Sequence, residues 1–245
     1  MVRYSFVAGI AVVLLVWSSP LFGQALNSLT PQEMAQGWQL VFDGKTLTGW
    51  HSSVPAPPSA GAPPAAPAVP PPPGALQAIG SNPSACTTAQ RGAAATVPPG
   101  ASHWEVVNGV LRPCGEPTGY LTSDQSYRNF VLSIEFKTGA DTNSGVYIRS
   151  PKETGGYEVN IWRQQPAGYH TGSIVATAKT AKDYSYKPDQ WNHYQITADG
   201  DRLVIVLNGE TTLDIRDAKF PEGHIRLQYQ QWPIEFRNIK IRPLP

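Results

Sequence analysis

The chain has 245 residues with 19 Lys or Arg and 18 Asp or Glu, which gives a formal net charge of +1. So small a charge provides no electrostatic footprint for nucleic acid or for an anionic membrane, and both are excluded as partners. Once two segments of atypical composition are set aside, the remaining length suits a single domain of ordinary size.

The N-terminus has the pattern of a secretory signal peptide. Arg3 precedes an apolar stretch, residues 6–17, that is too short to span a bilayer, and Gly23-Gln24-Ala25 supplies small residues around a cleavage point. We therefore predict a signal peptide over residues 1–25 and a periplasmic or secreted mature chain. A single N-terminal membrane anchor is the alternative. No cysteine lies near the cleavage point, so a lipoprotein anchor is excluded.

A low-complexity insertion interrupts the remaining chain at about residues 53–102. It is dominated by Pro, Ala, Gly and Ser, includes four consecutive prolines from Pro70, and carries almost no charge. Because such a segment buries little apolar surface, we expect it to be extended and largely disordered. The other residues of the range 26–245 are expected to form one domain.

The two cysteines, Cys86 and Cys114, both belong to the portion that is predicted to be exported. Oxidation is permitted there, so the natural prediction is a disulfide bond between them. Two free or metal-binding thiols are the alternative, although no cluster of histidines accompanies the cysteines.

Outside these segments the sequence consists of short strands separated by turn residues. A helix start is predicted at Thr30, which caps the helix, with Pro31 in the first turn. Asn108-Gly109 and Asn208-Gly209 lie between β-patterned runs and predict hairpins. The predicted strands are 38–43, 104–107, 110–112, 130–137, 145–149, 157–162, 172–176, 191–198, 202–207, 211–214, 223–229 and 234–241. Many short strands at regular spacing predict an all-β sandwich or jelly roll.

Two of the predicted strands carry polar side chains on one face. Successive side chains of a strand point to opposite faces, so the segment 143–149 places Asn143, Gly145, Tyr147 and Arg149 together. The segment 158–162 likewise places Glu158, Asn160 and Trp162 on one side. A carboxylate, amides, a guanidinium and aromatic rings on one sheet face suit a neutral, hydroxyl-rich ligand such as a sugar.

Seven short motifs occur in the order that is typical of one protein family. They are Trp38 to Trp50, Trp104 to Leu111, Asn143 to Arg149, Gly156 to Val159, Gln190 to Asn192, Leu207 to Gly209 and Phe236 to Ile239. Together they resemble the 3-keto-disaccharide hydrolase family over about residues 38–244, interrupted by the Pro/Ala-rich insertion. The resemblance implies a concanavalin A-like jelly-roll sandwich, usually exported, that binds sugar on one sheet.

The resemblance also implies an activity, namely cleavage of glycosides whose C3 hydroxyl has been oxidised to a ketone. The ketone acidifies the C2 hydrogen, so a general base removes it and the enolate expels the C1 substituent before water adds back. Such an enzyme needs a base near C2 and a cation or hydrogen-bond donor near the C3 oxygen. It does not need the two carboxylates of an ordinary glycosidase.

On this basis the sequence predicts a site built around Glu158. Glu158 is the predicted general base or metal ligand, and Arg149 and Asn143 are predicted donors to the substrate. The remaining candidates are Glu135 and Gln228 as flanking polar contacts, His170 as an alternative base, and Tyr147, Asn160 and Trp162 as substrate-binding residues. No motif predicts a cofactor with certainty. A divalent metal ion is left open, because Arg163 stands where many relatives have Asp.

Two other classes of function use the same sequence features. A noncatalytic carbohydrate-binding module would use the same fold and the same Asn, Arg and Trp residues without a base. An adhesion or cell-wall protein would use the Pro-rich segment as its binding region, although that segment lies inside the domain sequence. Carbohydrate is the expected ligand for the enzyme and for the module.

Overall fold

The computed structural model describes residues 25–53, 103–114, 118–140, 142–151, 154–184, 186–230 and 234–245. The predicted signal peptide, except Ala25, and nearly all of the predicted insertion lie outside the described residues. One short helix, α1 (Pro31–Ala35), precedes a series of strands. These are β1 (Gln39–Leu40), β2 (Trp50–Ser53), β3 (His103–Val107), β4 (Val110–Cys114), β5 (Gly119–Tyr127), β6 (Phe130–Thr138), β7 (Ser144–Ser150), β8 (Tyr157–Ile161), β9 (Asn192–Asp199), β10 (Arg202–Leu207), β11 (Glu210–Arg216), β12 (Gly223–Tyr229) and β13 (Ile234–Pro243).

The strands form two antiparallel sheets, which confirms the predicted all-β jelly-roll sandwich. The five-stranded sheet has the order β2-β5-β12-β7-β8. The eight-stranded sheet has the order β11-β10-β9-β6-β13-β4-β3, with β1 paired to β13. Among the described residues, no helix is long and apolar enough to cross a membrane.

The core lies between the two sheets and is built from alternate residues of their strands. Val146, Ile148 and Leu227 supply it from the five-stranded sheet, and Phe136 and Ile196 from the eight-stranded sheet, each with no exposed surface. Because the side chains of a strand alternate, the residues between these positions point away from the core. Each sheet therefore has an outer face on which polar side chains can gather.

The last strand closes the sandwich and joins the two ends of the described chain. β13 lies between β6 and β4 in the eight-stranded sheet. Near its middle, the amide N–H of Asn238 donates to Oδ1 of Asn27 at 2.8 Å, and the amide N–H of Asn27 donates to Oδ1 of Asn238 at 2.7 Å. This reciprocal pair attaches the segment that follows the predicted cleavage point to the central part of the sheet.

Several predicted local elements are confirmed. Thr30 caps α1, and its side chain and that of Glu33 form a reciprocal capping box. Asn108-Gly109 and Asn208-Gly209 connect β3 to β4 and β10 to β11 with positive φ at all four residues, as two-residue hairpin turns require. Most of the predicted strand limits agree with the structure to within a few residues.

Two predicted strands are wrong in part or in whole. Residues 172–176 form a loop with isolated bridges and no strand, because Gly172 and Ala176 have φ values of 90° and 57° that extended strands do not adopt. Of the predicted strand 38–43, only β1 pairs with a neighbour. Conversely, β2 and β5 were missed, since the polar run Thr122 to Ser126 in β5 lacks an apolar alternation.

Candidate functional site

The outer face of the five-stranded sheet, here called the polar face, carries one row of side chains that crosses all five strands. His51 pairs with Thr122, Thr122 with Arg226, Arg226 with Tyr147, and Tyr147 with Glu158 as Cα partners. Cα partners on neighbouring strands point to the same side of a sheet. These five side chains, here called the cross-strand row, therefore lie next to one another in a line across the sheet. The polar face thus holds a continuous line of hydrogen-bonding groups.

A parallel line of polar positions lies beside the cross-strand row. Ser53 pairs with Tyr120 and Tyr120 with Gln228, while Gly145 pairs with Asn160 at the other edge. Gln228 is buried, and its Oε1 accepts no hydrogen bond from the described residues. A buried acceptor of this kind is free to bind a donor such as a hydroxyl.

Glu158, on the edge strand β8, is the acidic group at one end of the cross-strand row. The hydroxyl of Tyr147 donates a hydrogen bond to its Oε2 at 2.7 Å. Gly145, its neighbour on β7, leaves the space that it fills, because a Cβ there would lie 3.0 Å from both Cγ and Oε1 of Glu158. Burial raises the pKa of Glu158 to about 7, although the hydrogen bond from Tyr147 acts in the opposite direction. The carboxyl group can therefore either accept or donate a proton near neutral pH.

Tyr147 stays a hydrogen-bond donor over the whole physiological range. Burial, the carboxylate of Glu158 and Tyr120 all raise the pKa of its hydroxyl well above the usual value. Its ring lies 5.4 Å from that of Tyr120 in an edge-to-face arrangement. Tyr147 thus keeps its proton and donates it to the carboxylate of Glu158 in a hydrogen bond.

Arg226 places a guanidinium in the middle of the cross-strand row. The residue is 2% exposed, and its guanidinium carbon lies 3.9 Å from the ring centroid of Tyr120 and 5.6 Å from that of Tyr147. Nη1 donates a long hydrogen bond, 3.4 Å, to Oγ of Ser150. Contact with these aromatic rings holds the guanidinium in place by cation–π attraction. Sequence reasoning missed Arg226, although its alternation with Gln228 in β12 is the signal that would have found it.

A comparison with sequence models of protein families identifies the family of this chain. A sequence model of the 3-keto-alpha-glucoside-1,2-lyase-like domain matches residues 37–242. The chain belongs to this 3-keto-glucoside lyase-like family. The resemblance found in the sequence motifs is thereby confirmed. A comparison with curated proteins finds no match.

Three of the solved structures that resemble this family member come from Parabacteroides distasonis ATCC 8503. One putative glycosyl hydrolase has 20% identity and a TM-score of 0.62, and the match covers 90% of this chain and all of that one. A second has 22% identity and a TM-score of 0.54, with 85% and 84% covered. A third has 26% identity and a TM-score of 0.52 over 58% of this chain and 90% of that one. The first two likenesses, at or below 22% identity, establish the fold.

Arg149 does not lie on the polar face, so its predicted position beside Glu158 is wrong. β7 has one residue more than β12 between the pairs Tyr147–Arg226 and Ser150–His224, and Arg149 has a φ of 49° within this bulge. The bulge turns its fully buried side chain away from the face that simple alternation predicts. Its guanidinium instead donates to the carbonyl oxygens of Arg128 and Gly200, each at 2.7 Å.

Glu135 also lies outside the site, because β6 belongs to the eight-stranded sheet. Its carboxylate accepts hydrogen bonds from Nε of Arg237 at 2.6 Å and from Nδ2 of Asn238 at 3.0 Å. A carboxylate pair between Glu135 and Glu158 across adjacent strands is therefore excluded. Of the predicted site residues, Glu158, Tyr147, Gln228 and Asn160 share the polar face.

The remaining predicted contacts lie at or beyond the β8 edge of the sheet. Asn160 is buried, and its Nδ2 donates to the carbonyl oxygens of Trp162 and Tyr169. It therefore anchors the loop that follows β8. In that loop, Nδ1 of His170 donates to the carbonyl of Arg163 at 2.7 Å. Trp162 and Asn143 are half-buried at the ends of β8 and β7, and their predicted contacts with substrate stay predictions.

The described residues bear on the predicted metal ion and on one cysteine of the predicted disulfide bond. Within the seven described ranges, no three side chains of His, Cys, Asp and Glu form a group that could hold a metal ion. The divalent metal thus stays an open prediction. Cys114, at the end of β4, is disulfide-bonded, and its predicted partner Cys86 lies outside the described residues.

Proposed function

We propose that this protein is an exported, carbohydrate-active enzyme that cleaves 3-keto-glycosides by C2 deprotonation and elimination, with net hydrolysis after water addition. The observation that carries the proposal is the environment of Glu158. Its half-buried carboxyl has a pKa of about 7 and is held by a neutral tyrosine hydroxyl, which suits a general base near neutral pH. Membership of the 3-keto-glucoside lyase-like family and the predicted signal peptide support the reaction and the export respectively.

The proposed reaction begins with proton transfer from C2 to the carboxylate of Glu158. The electron pair of the C2–H bond forms the enolate of the C3 ketone, and the negative charge collects on the C3 oxygen. The enolate then reforms the ketone, a C1–C2 double bond appears, and the C1–O bond breaks, with the leaving oxygen taking a proton from solvent to give the free aglycone. Addition of water across this double bond completes the hydrolysis and returns the proton to C2.

Arg226 and Tyr147 have distinct roles in this scheme. Arg226 supplies the cation that stabilises the enolate oxygen, the role that the sequence assigned to Arg149. Its charge is buried and fixed by stacking on Tyr120, so little reorganisation is needed when the negative charge forms. Tyr147 holds the carboxylate at 2.7 Å in the orientation needed for proton abstraction.

The distribution of carboxylates argues against an ordinary glycosidase on this face. The five strands of the sheet carry two described carboxylates, Glu158 on β8 and Asp124 on β5. Three strand spacings separate these strands, or about 14 Å at 4.8 Å per spacing. A retaining pair is separated by about 5 Å and an inverting pair by less than about 10 Å. Elimination, which needs one base and one cation, fits the residues that are present.

The test is to incubate the purified protein with a 3-keto-glucoside and with its unoxidised parent while aglycone release is followed. We expect release from the keto-sugar alone, since the parent lacks the acidified C2 hydrogen. Equal release from both substrates would contradict elimination. Release from neither, together with measurable sugar binding, would instead identify the protein as a noncatalytic carbohydrate-binding module.

A further inference from the structure

The end of the cross-strand row opposite Glu158 carries a second group of hydrogen-bonding side chains. Nδ1 of His51 and Oδ1 of Asp124 are 2.6 Å apart, and their side chains are 38% and 59% exposed. Beside them, the hydroxyls of Ser53 and Thr122 are 3.0 Å apart and buried. The proposed reaction does not use any of these four residues.

The pairing with Asp124 fixes how His51 can interact with a ligand. The carboxylate accepts from Nδ1, so the proton lies on that nitrogen and the ring orientation is held. Nε2 makes no hydrogen bond with the described residues. It therefore remains as an acceptor, or as a donor when the ring is protonated, with the ring oriented by Asp124.

Distance separates this group from the reacting atoms. His51 is on β2 and Arg226 on β12, two strand spacings apart, which is about 10 Å. From Glu158 on β8 the separation is four spacings, about 19 Å. His51 is thus too far from Glu158 to take part in proton transfer at C1 or C2, yet both lie on one continuous row.

We infer that His51, held by Asp124, forms a second subsite that binds the leaving group, and that it selects leaving groups with several hydroxyls over small alkyl or aromatic ones. The inference rests on the proposed function, because it places the keto-sugar at Glu158 and Arg226. The polar face at β2 offers His51 and Ser53, an imidazole and a hydroxyl, with Thr122 and Asp124 beside them on β5. Groups of this kind recognise hydroxyls strongly and gain little from an apolar ring.

The experiment compares two substrates that share one 3-keto-glucose ring, a 3-keto-disaccharide and the methyl 3-keto-glucoside. For His51→Ala we expect KM for the disaccharide to rise about tenfold, the loss of one good hydrogen bond, with kcat nearly unchanged. The kinetics of the methyl glycoside should be unaffected. Asp124→Asn should give a smaller change of the same kind, because it weakens the orientation of the ring.

His193→Ala is the matched control, since His193 lies on the outer face of the other sheet with its Nε2 2.8 Å from Oγ of Ser133. It should leave both substrates unaffected. An equal loss on both substrates, or no loss on either, would overturn the subsite. If the wild type cleaves neither substrate, the proposed function fails, and the subsite is then tested by calorimetric binding of the intact disaccharide. Weaker binding in His51→Ala than in His193→Ala would support it, and unchanged binding would refute it.

Discussion

The outer faces of the two sheets carry the same kinds of side chain, yet they treat their carboxylates differently. On the eight-stranded sheet, Glu135 lies 2.6 Å from Nε of Arg237, and Glu235 lies 2.6 Å from Nζ of Lys137. On the polar face, Glu158 is held by the neutral hydroxyl of Tyr147 and forms no ion pair with the described residues. The first arrangement neutralises each charge, whereas the second leaves a proton-accepting group in a buried setting.

Stacked arginines do not distinguish the two faces. The guanidinium of Arg237 lies 3.9 Å from the ring centroid of Trp191, and that of Arg226 lies 3.9 Å from that of Tyr120. What differs is whether a carboxylate bonds directly to the cation. A direct ion pair favours the charged carboxylate and is mainly structural, while burial without a cation raises the pKa toward neutrality. The environment of each glutamate, more than its presence on a sheet, therefore indicates function.

The largest expected effect is the difference in activity between substitutions of Glu158 and Glu135. Glu158→Gln should abolish solvent deuterium exchange at C2 of a 3-keto-sugar and lower turnover by roughly 10²–10⁴-fold, the usual contribution of a positioned base. Glu135→Gln should leave exchange within about twofold of wild type, because its carboxylate faces the other side of the sandwich. Exchange can be followed by NMR in deuterated buffer. Undiminished exchange in Glu158→Gln would move the base elsewhere, with His170 the next candidate.

Arg149 offers a test of whether a buried arginine off the polar face is structural. Arg149→Met removes the charged donors that bond to the carbonyls of Arg128 and Gly200. We expect a loss of about 3 kcal/mol in the free energy of unfolding, measured by urea denaturation. Exchange at C2 per folded molecule should persist. A stable variant that has lost activity would return Arg149 to the site.

A smaller effect compares the two stacked arginines. Arg226→Lys keeps the charge but loses the planar group that lies on Tyr120, so kcat/KM should fall about tenfold, or about 1.4 kcal/mol. Arg237→Lys keeps a cation beside Glu135, far from substrate, and should change kcat/KM by less than about twofold. Equal effects of the two substitutions on kcat/KM would remove Arg226 from the mechanism.

The most gradual effect concerns stability as a function of pH. The pKa of Glu158 rises from 4.5 to about 7 on folding. Between these values the folded protein binds more protons than the unfolded chain, so this stabilisation is complete below the lower pKa and is lost as pH rises through the higher one. Glu158→Gln removes the effect, so its stability relative to wild type should increase with pH by at most about 1.4 kcal/mol per unit. Urea denaturation from about pH 5 to about pH 8 measures it, with Glu135→Gln showing no such trend.

Sequence periodicity predicts the correct sheet face for those site residues whose strands have no bulge before them. Tyr147 and Glu158 follow the period of two along β7 and β8, and Gln228 follows it in β12. The bulge at Arg149 breaks that period through one left-handed residue, for which no local pattern gives warning. The period of two therefore placed the predicted cation at Arg149, whereas the proposed mechanism uses Arg226.

The partners of Glu135 depend on which strands pair, which is a non-local property. A period of two places Glu135 on an outer face correctly but does not say which sheet β6 joins. Similarly, β5 consists largely of Thr, Ser, Asp and Gln around its middle, so nothing in its own sequence predicts a strand. Its ladder includes a hydrogen bond from the amide of Ile225 to Oγ of Ser123, a contact that becomes available only after folding.

The position of β13 has a consequence for when the chain can fold. The strand is synthesised last, yet it separates β6 from β4 in the eight-stranded sheet. The reciprocal hydrogen bonds between Asn27 and Asn238 likewise join residues 211 positions apart. Contacts of such sequence separation slow folding, because the closure of long loops precedes any gain from pairing. This sheet cannot be completed until almost the entire polypeptide has left the ribosome, a property that suits the proposed export of an unfolded chain.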